Sequence, residues 1–237
     1  MRWEFTPDEF IYLWTAIGSD RYPAPLSLLA SACWRHEWEA TERDLRERLP
    51  VLDDPDLFPV LRTAANPDTS AVLVGNRKRP LRAYGAVIAD IGVTIVQRAG
   101  TDHRHGGAVI VQVGSALLVP KVLTAVAGDC PPGRAASMVE TYERLRYPPS
   151  SHEWGSEEAT TAQRMRQILA ASRTGNGHIE IQTERRTEKP PPPRYLSWFD
   201  VHNDGRYVYM RRYNDFHIDP CSSDGLRHGL TRLMDLT

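Results

Sequence analysis

The chain has 237 residues, enough to bury a sizeable core, and is 41% hydrophobic and 25% charged with a formal net charge of −1. That balance gives no electrostatic reason to expect nucleic acid or an anionic membrane as partner. Three widely spaced cysteines, Cys33, Cys130 and Cys221, form no C-x-x-C pair and fit neither a zinc framework nor a disulfide scaffold.

The opening run MRWEFTPDEF is acidic and amphipathic where a signal peptide is basic and then apolar. No apolar run approaches the ~18 residues of a membrane span, so the expected location is cytoplasmic. Arg2–Phe5 reads as a strand. Thr6-Pro7-Asp8-Glu9 is a dense helix start, with Thr6 as cap, Pro7 at the first helical position and Glu9 closing a capping box. Phe10, Leu13, Trp14 and Ile17 recur at helical spacing and Gly18 stops the helix. Two prolines keep RYPAPL extended. A second helix is expected over 31–49, with Trp34, Trp38, Leu45 and Leu49 on one side. A third starts at Asp54-Pro55, meets Pro59 and ends at Asn66-Pro67.

From residue 70 the period turns strand-like, with β-branched runs at 71–74, 81–90, 91–98 and 107–113. Pro120 opens a short helix bearing Leu123 and Val126. Residues 128–155 read as a bridge holding a helix with Met138, Val139, Tyr142 and Leu145. Ser156-Glu157-Glu158 then cap a helix whose apolar side is Met165, Ile168 and Leu169. Strands are expected at 178–184, 195–201, 206–211 and 216–219, with turns at Asp204-Gly205 and Asn214-Asp215. Ser222 or Ser223 caps a last helix carrying Leu226, Leu230 and Leu233.

Residues 40–127 and 156–237 thus share one order: helix, four strands, closing helix. An approximate internal two-fold explains this pattern. Short connections make the strand pairs antiparallel. The expected fold is α+β: one domain over residues 1–237, with a largely antiparallel sheet from two related halves, covered by helices.

The residues that could carry chemistry are sparse. His103 and His105 could ligate a metal, but they flank Arg104 in a polar, glycine-ended loop with no third ligand at a recognisable spacing. No cysteine has neighbours that would activate it. Asp53, Asp54 and Asp56 fit a helix start. G-x-S-x-G, Walker and dinucleotide-binding loops are missing from the sequence. The expectation is a protein without catalytic residues, cofactor or metal.

Two basic, proline-ended loops stand out. Gly75-Asn76-Arg77-Lys78-Arg79-Pro80 joins the first two strands of one half, and residues 185–194, with four consecutive prolines, occupy the same place in the other. They are either solvated loops whose prolines limit edge pairing or a pair of partner contacts. The four prolines suit a stiff hairpin loop better than a polyproline ligand. Trp198, Phe199, Tyr207 and Tyr209 lie on adjacent strands, and alternation sends Trp198 and Phe199 to opposite faces. They are core residues unless one face is left open to a partner. The candidate partner-binding residues are Asn76, Arg77, Lys78, Arg79, Trp198 and Tyr209.

Trp3, Phe5, Thr6, Pro7, Phe10, Leu13, Trp14 and Gly18, followed by Arg21-Tyr22-Pro23, resemble the start of EspG proteins. Ser197-Trp198-Phe199-Asp200, Gly205-Arg206-Tyr207 and the closing 226–233 helix resemble that family's end. The resemblance covers nearly the whole chain, with the region 40–68 abbreviated. It implies an antiparallel sheet with helical bundles and a pseudo-two-fold. It also implies a cytoplasmic chaperone of a type VII (ESX) secretion system that binds a PE–PPE-like pair, or another helical ESX substrate, at the tip of the PPE bundle and keeps it soluble for export. The alternatives are a non-catalytic regulatory or assembly subunit of the secretion machinery and, from another class, a metal-dependent enzyme using His103 and His105.

Overall fold

Residues 1–49, 54–101, 104–147 and 160–236 are described by a computed structural model of the chain. β1 (Arg2–Phe5) leads into α1 (Pro7–Ala16), whose start is the expected capping box. The Glu9 amide donates to the Thr6 hydroxyl at 3.2 Å, and the Thr6 amide donates to the Glu9 carboxylate at 2.8 Å. Phe10, Leu13, Trp14 and Ile17 are buried, and the Trp14 indole donates to the Arg21 carbonyl at 2.9 Å, tying down the extended segment that follows.

α2 (Arg35–Arg48) starts later than the spacing suggests. Ser31 instead bonds Asp8, and Trp34 stands outside the helix, 67% exposed, so Leu45 is its buried residue. α3 (Leu57–Ala65) runs through Pro59, because a proline in the first turn removes an amide that has no intrahelical partner. Asp54 Oδ1 accepts from the amides of Asp56 and Leu57 and so starts this helix, while Asp53 lies outside the described residues.

The first half continues with β2 (Thr69–Arg77), β3 (Arg79–Ile88), β4 (Ile91–Ala99), β5 (Gly106–Ser115) and α4 (Leu118–Ala127). The second comprises β6 (Met138–Thr141), α5 (Tyr142–Arg146), α6 (Thr161–Ala170), β7 (Arg173–Gln182), β8 (Arg194–Val201), β9 (Arg206–Arg212), β10 (Asp215–Pro220) and α7 (Ser223–Leu233). Among the described residues the strands form one sheet of ten in the order β1-β5-β4-β3-β2-β7-β8-β9-β10-β6, each neighbour antiparallel. The fold is α+β, as the sequence implies. The order is a palindrome: β2 and β7 meet at a central seam, and β1 and β6 form the two outer edges.

Met138–Thr141 is therefore not helical. The expected helix splits into an edge strand paired with β10, where Met138 faces Ile218, and a short helix capped by Thr141. The segment read as a bridge supplies the outermost strand of the second half. Ser156, Glu157 and Glu158 lie outside the described residues, and Thr160 caps α6. The last two turns slip by one or two residues, to His202–Asn203 and Tyr213–Asn214, with Asn203 and Tyr213 in the left-handed region.

One face of the sheet carries α4 and α7. Val119, Leu123, Leu226 and Leu230 close over Leu73, Ala83, Ile179, Ile181 and Trp198. On the other face α1–α3 cover Tyr84, Ala86, Val93, Ile95, Val109 and Val111. On that face in the second half, Met165 of α6 covers Phe199, Tyr207 and Ile218. Among the described residues no helix is long and apolar enough to cross a membrane.

Candidate functional site

Between the α1–α3 layer and α6 the sheet lies open. Register places Asn76 opposite Asn176, Val74 opposite His178 and Val72 opposite Glu180 across the seam. On the β8 side, Ser197 is opposite His178, Tyr195 is opposite Glu180, and Tyr209 is opposite Ser197. Alternation turns all of these to the same face as Tyr84 and Phe199, opposite to Leu73 and Ile179. Val74, Asn76, Asn176, His178 and Tyr195 are exposed, and Val72, Glu180, Ser197 and Tyr209 half-buried. Valine and tyrosine surface interleaved with amide, imidazole and carboxylate groups is the composition of a protein-binding patch.

The groups whose titration is displaced lie elsewhere, in packed regions. Burial raises the thiols of Cys130 and Cys221 and the phenols of Tyr84 and Tyr207 above their usual values. Burial thereby favours the protonated form of both thiols. His105 sits in the bend before β5, and His103 lies outside the described residues. Among the described residues no group of three or more His, Cys, Asp or Glu side chains could hold a metal.

The structure separates the six candidate binding residues. Asn76 and Tyr209 belong to the open strip, where Tyr209 leans on Phe199 and Phe216 with ring centroids 5.8 Å away in each case. Lys78 and Arg79 are exposed at the β2–β3 turn, where Lys78 is the single residue between the paired Arg77 and Arg79 and holds φ at 63°. What reads as a loop is two strands meeting. Arg77 turns to the opposite face: its Nη2 donates to Asp200 at 2.6 Å and its Nη1 to the Asp129 carbonyl at 3.2 Å. Trp198 is 1% exposed beneath α7 and packs over Gly177, so it is closed to a partner.

The two basic loops do not share a surface. Asn76 lies beside Asn176 near the start of β7, whereas Gln182, the last residue of β7, lies beside Ser70 near the start of β2. The β2–β3 turn and the β7–β8 loop thus leave the sheet at opposite ends. The second loop is tied down by Arg185 to Ser70 at 2.7 Å and by Arg186 to Asp68 at 3.2 Å, with Arg194 on β8 paired to Asp235 at 2.9 Å.

Val74, Asn176, His178 and Tyr195 escape a reading from sequence alone. The available signal is the alternation of polar Asn176, His178 and Glu180 with Ile179 and Ile181. It marks a strand buried on one face only, although it lies at the centre of a sheet.

The fold and site thus define an α+β scaffold with an open sheet surface. A family model described as the EspG family matches residues 6–232, and the chain belongs to that family. Among solved structures it is similar to the Mycobacterium tuberculosis type VII secretion system chaperone EspG5 in complex with PE25–PPE41 dimer. The TM-score is 0.66 at 14% identity, over 99% of this chain and 96% of that one, a likeness of fold. No curated protein sequence matches the chain significantly.

Proposed function

We propose that this chain is a cytoplasmic, non-catalytic chaperone of a type VII (ESX) secretion system, which binds a PE–PPE-like helical pair and keeps it soluble for export. Its membership of the EspG family over residues 6–232 carries this reading, supported by the fold it shares with EspG5, solved with a PE25–PPE41 dimer. The open strip around Val74, Asn76, His178, Tyr195 and Tyr209 is the surface we assign to the partner. It offers apolar anchors with a polar surround, as the tip of a helical bundle requires. Residues 1–237 make one domain whose related halves, roughly 40–127 and 156–237, are joined by 128–155, and the sheet order adds β1 to the first half and β6 to the second.

The test is co-expression with a candidate PE–PPE-like pair from the same genome. The expected product is a 1:1:1 complex on size exclusion with light scattering, and a pair that aggregates when expressed alone. A pair that is soluble by itself and never associates with this chain overturns the reading.

A further inference from the structure

Tyr213 stands where a hairpin prefers glycine. Arg212 and Asp215 are paired, so Tyr213 and Asn214 alone make the β9–β10 turn. Tyr213, the first of the two, holds φ at 53°. Two-residue turns favour glycine, asparagine or aspartate at positive φ, and a tyrosine enters that region at a cost. Nothing in the packing offsets the cost, because the residue is 100% exposed. A strained backbone that presents a solvent-bathed aromatic ring is a reason to look for a binding role.

The surroundings hold the turn rigid. Arg211 Nε donates to the Tyr213 carbonyl at 3.0 Å, and the same guanidinium lies 4.4 Å over the Tyr142 ring. The Tyr142 amide donates to the Asn214 carbonyl at 2.7 Å. Arg166 of α6 donates to the Arg144 carbonyl at 2.8 Å, so α5 braces the turn and α6 braces α5.

Charge gives the partner's sign. Arg166, Arg211 and Arg212 have no carboxylate partner among the described residues, and Arg144 reaches Glu140 only at 3.9 Å. Glu140, Glu143 and Asp215 are interspersed with them, which disfavours a continuous polyanion, and the chain as a whole carries −1. A short acidic segment with one apolar side chain fits both features: it can pair with Arg212 at the end of β9 while laying its apolar group on Tyr213. Tyr and Arg are the residues most often found to anchor such contacts.

We propose that the β9–β10 turn with α5 is a docking surface for an acidic protein segment, separate from the open strip and independent of the identity of the PE–PPE-like pair. The test uses the full chain and a fluorescein-labelled twelve-residue peptide with four Glu or Asp residues spaced by Ser and Gly and a single Phe, read by anisotropy. A lysine peptide of the same length, a twelve-base-pair DNA duplex and phosphatidylglycerol vesicles are run in parallel. The wild type should bind the acidic peptide best, with affinity falling as salt rises. Tyr213→Gly and Arg212→Glu should each weaken binding tenfold or more, and Tyr213→Gly should not lower the melting temperature, because it relieves the backbone. Lys78→Glu, in the other basic turn, should leave affinity unchanged. No binding by the wild type, wild-type affinity in both turn variants, tighter binding of DNA or vesicles, or a loss confined to Lys78→Glu each overturns the proposal.

Discussion

Asp200 and Arg206 are both fully buried, and their carboxylate and guanidinium meet at 2.7 and 3.1 Å. Arg206 Nη2 also donates to the carbonyls of Ala127 and Gly128 at the end of α4, and Arg77 reaches the same carboxylate from β2. One acid therefore contacts two arginines and ties β2, β8, β9 and α4 together. Removing the acid leaves the buried Arg206 charge uncompensated. Asp200→Ala should cost about 3–5 kcal/mol in urea unfolding. Arg77→Glu, which sets a second carboxylate against Asp200, should cost roughly 2–4 kcal/mol. The exposed Lys78→Glu and Arg79→Glu changes should stay within about 0.5 kcal/mol. Equal midpoints for Arg77→Glu and Lys78→Glu would contradict this assignment.

Titration gives a second test at this scale. The Tyr84 phenol donates to the Ala64 carbonyl at 3.1 Å, and the Tyr207 phenol to Asp204 at 2.7 Å. Burial is the main cause of the raised pKa in both, as it is for Cys130 and Cys221. An acid with a raised folded pKa keeps its proton in the native state after the unfolded chain has lost it. The stabilisation is thus complete below the usual values, 9.0 for the thiols and 10.0 for the phenols, and is lost as pH climbs through the folded ones. Stability should fall as pH rises above ~9, and the double variant Tyr84→Phe, Tyr207→Phe should flatten the decline above pH ~10. A flat wild-type profile above pH ~9 would rule out the effect.

Strand β7 shows what one glycine does for an element. Gly177 faces Trp198, and a Cβ there would lie 2.4 Å from the indole and 2.6 Å from the Val74 carbonyl. The ring and the neighbouring backbone fill the space a side chain would need, so the absent Cβ sets the close approach of β2, β7 and β8. Gly177→Val should destabilise by about 2–4 kcal/mol and shift the tryptophan emission to the red. A stable variant with unchanged emission would contradict the packing.

The elements that were legible in the sequence are the ones decided locally. The α1 capping box lies within four residues, and the β-branched runs carry their own period. β6 was not legible, because Met-Val-Glu-Thr suits helix or strand and becomes a strand through β10, over seventy residues away in the chain. The destination of Arg77 was hidden for the same reason. The two residues after it are cations, and only the pairing of β2 with β7 and of β7 with β8 brings Asp200 within reach. The β9–β10 turn slipped because Asn214-Asp215 is the better turn pair by composition, and the register of Arg212 with Asp215 places Tyr213 in the turn instead.

In the whole molecule, the repeat of pattern after residue 70 was visible in the sequence, but its spatial result was not. Two hairpins joined through their first strands in antiparallel fashion point their turns in opposite directions, so the two basic loops cannot cooperate on one partner. What the halves do share is the seam and the face above it. Val74→Glu, at an exposed position on β2, should leave the melting temperature within a degree or two and weaken association with the PE–PPE-like pair about tenfold. Trp198→Ala, from the covered face, should cost about 3–5 kcal/mol of stability. Unchanged pair binding by Val74→Glu would remove the strip from the interface.

The seam has a geometric consequence as well. Neighbouring strands are rotated by about 20–25°, which over the nine steps from β1 to β6 amounts to roughly 200°. The uncovered centre of such a sheet is a saddle, hollow along one diagonal and humped along the other. A rod-shaped partner can lie flush only in the hollow, so curvature admits one axis and refuses the axis at right angles. Alignment of such a partner is then a property of shape, present before any side chain has been recognised.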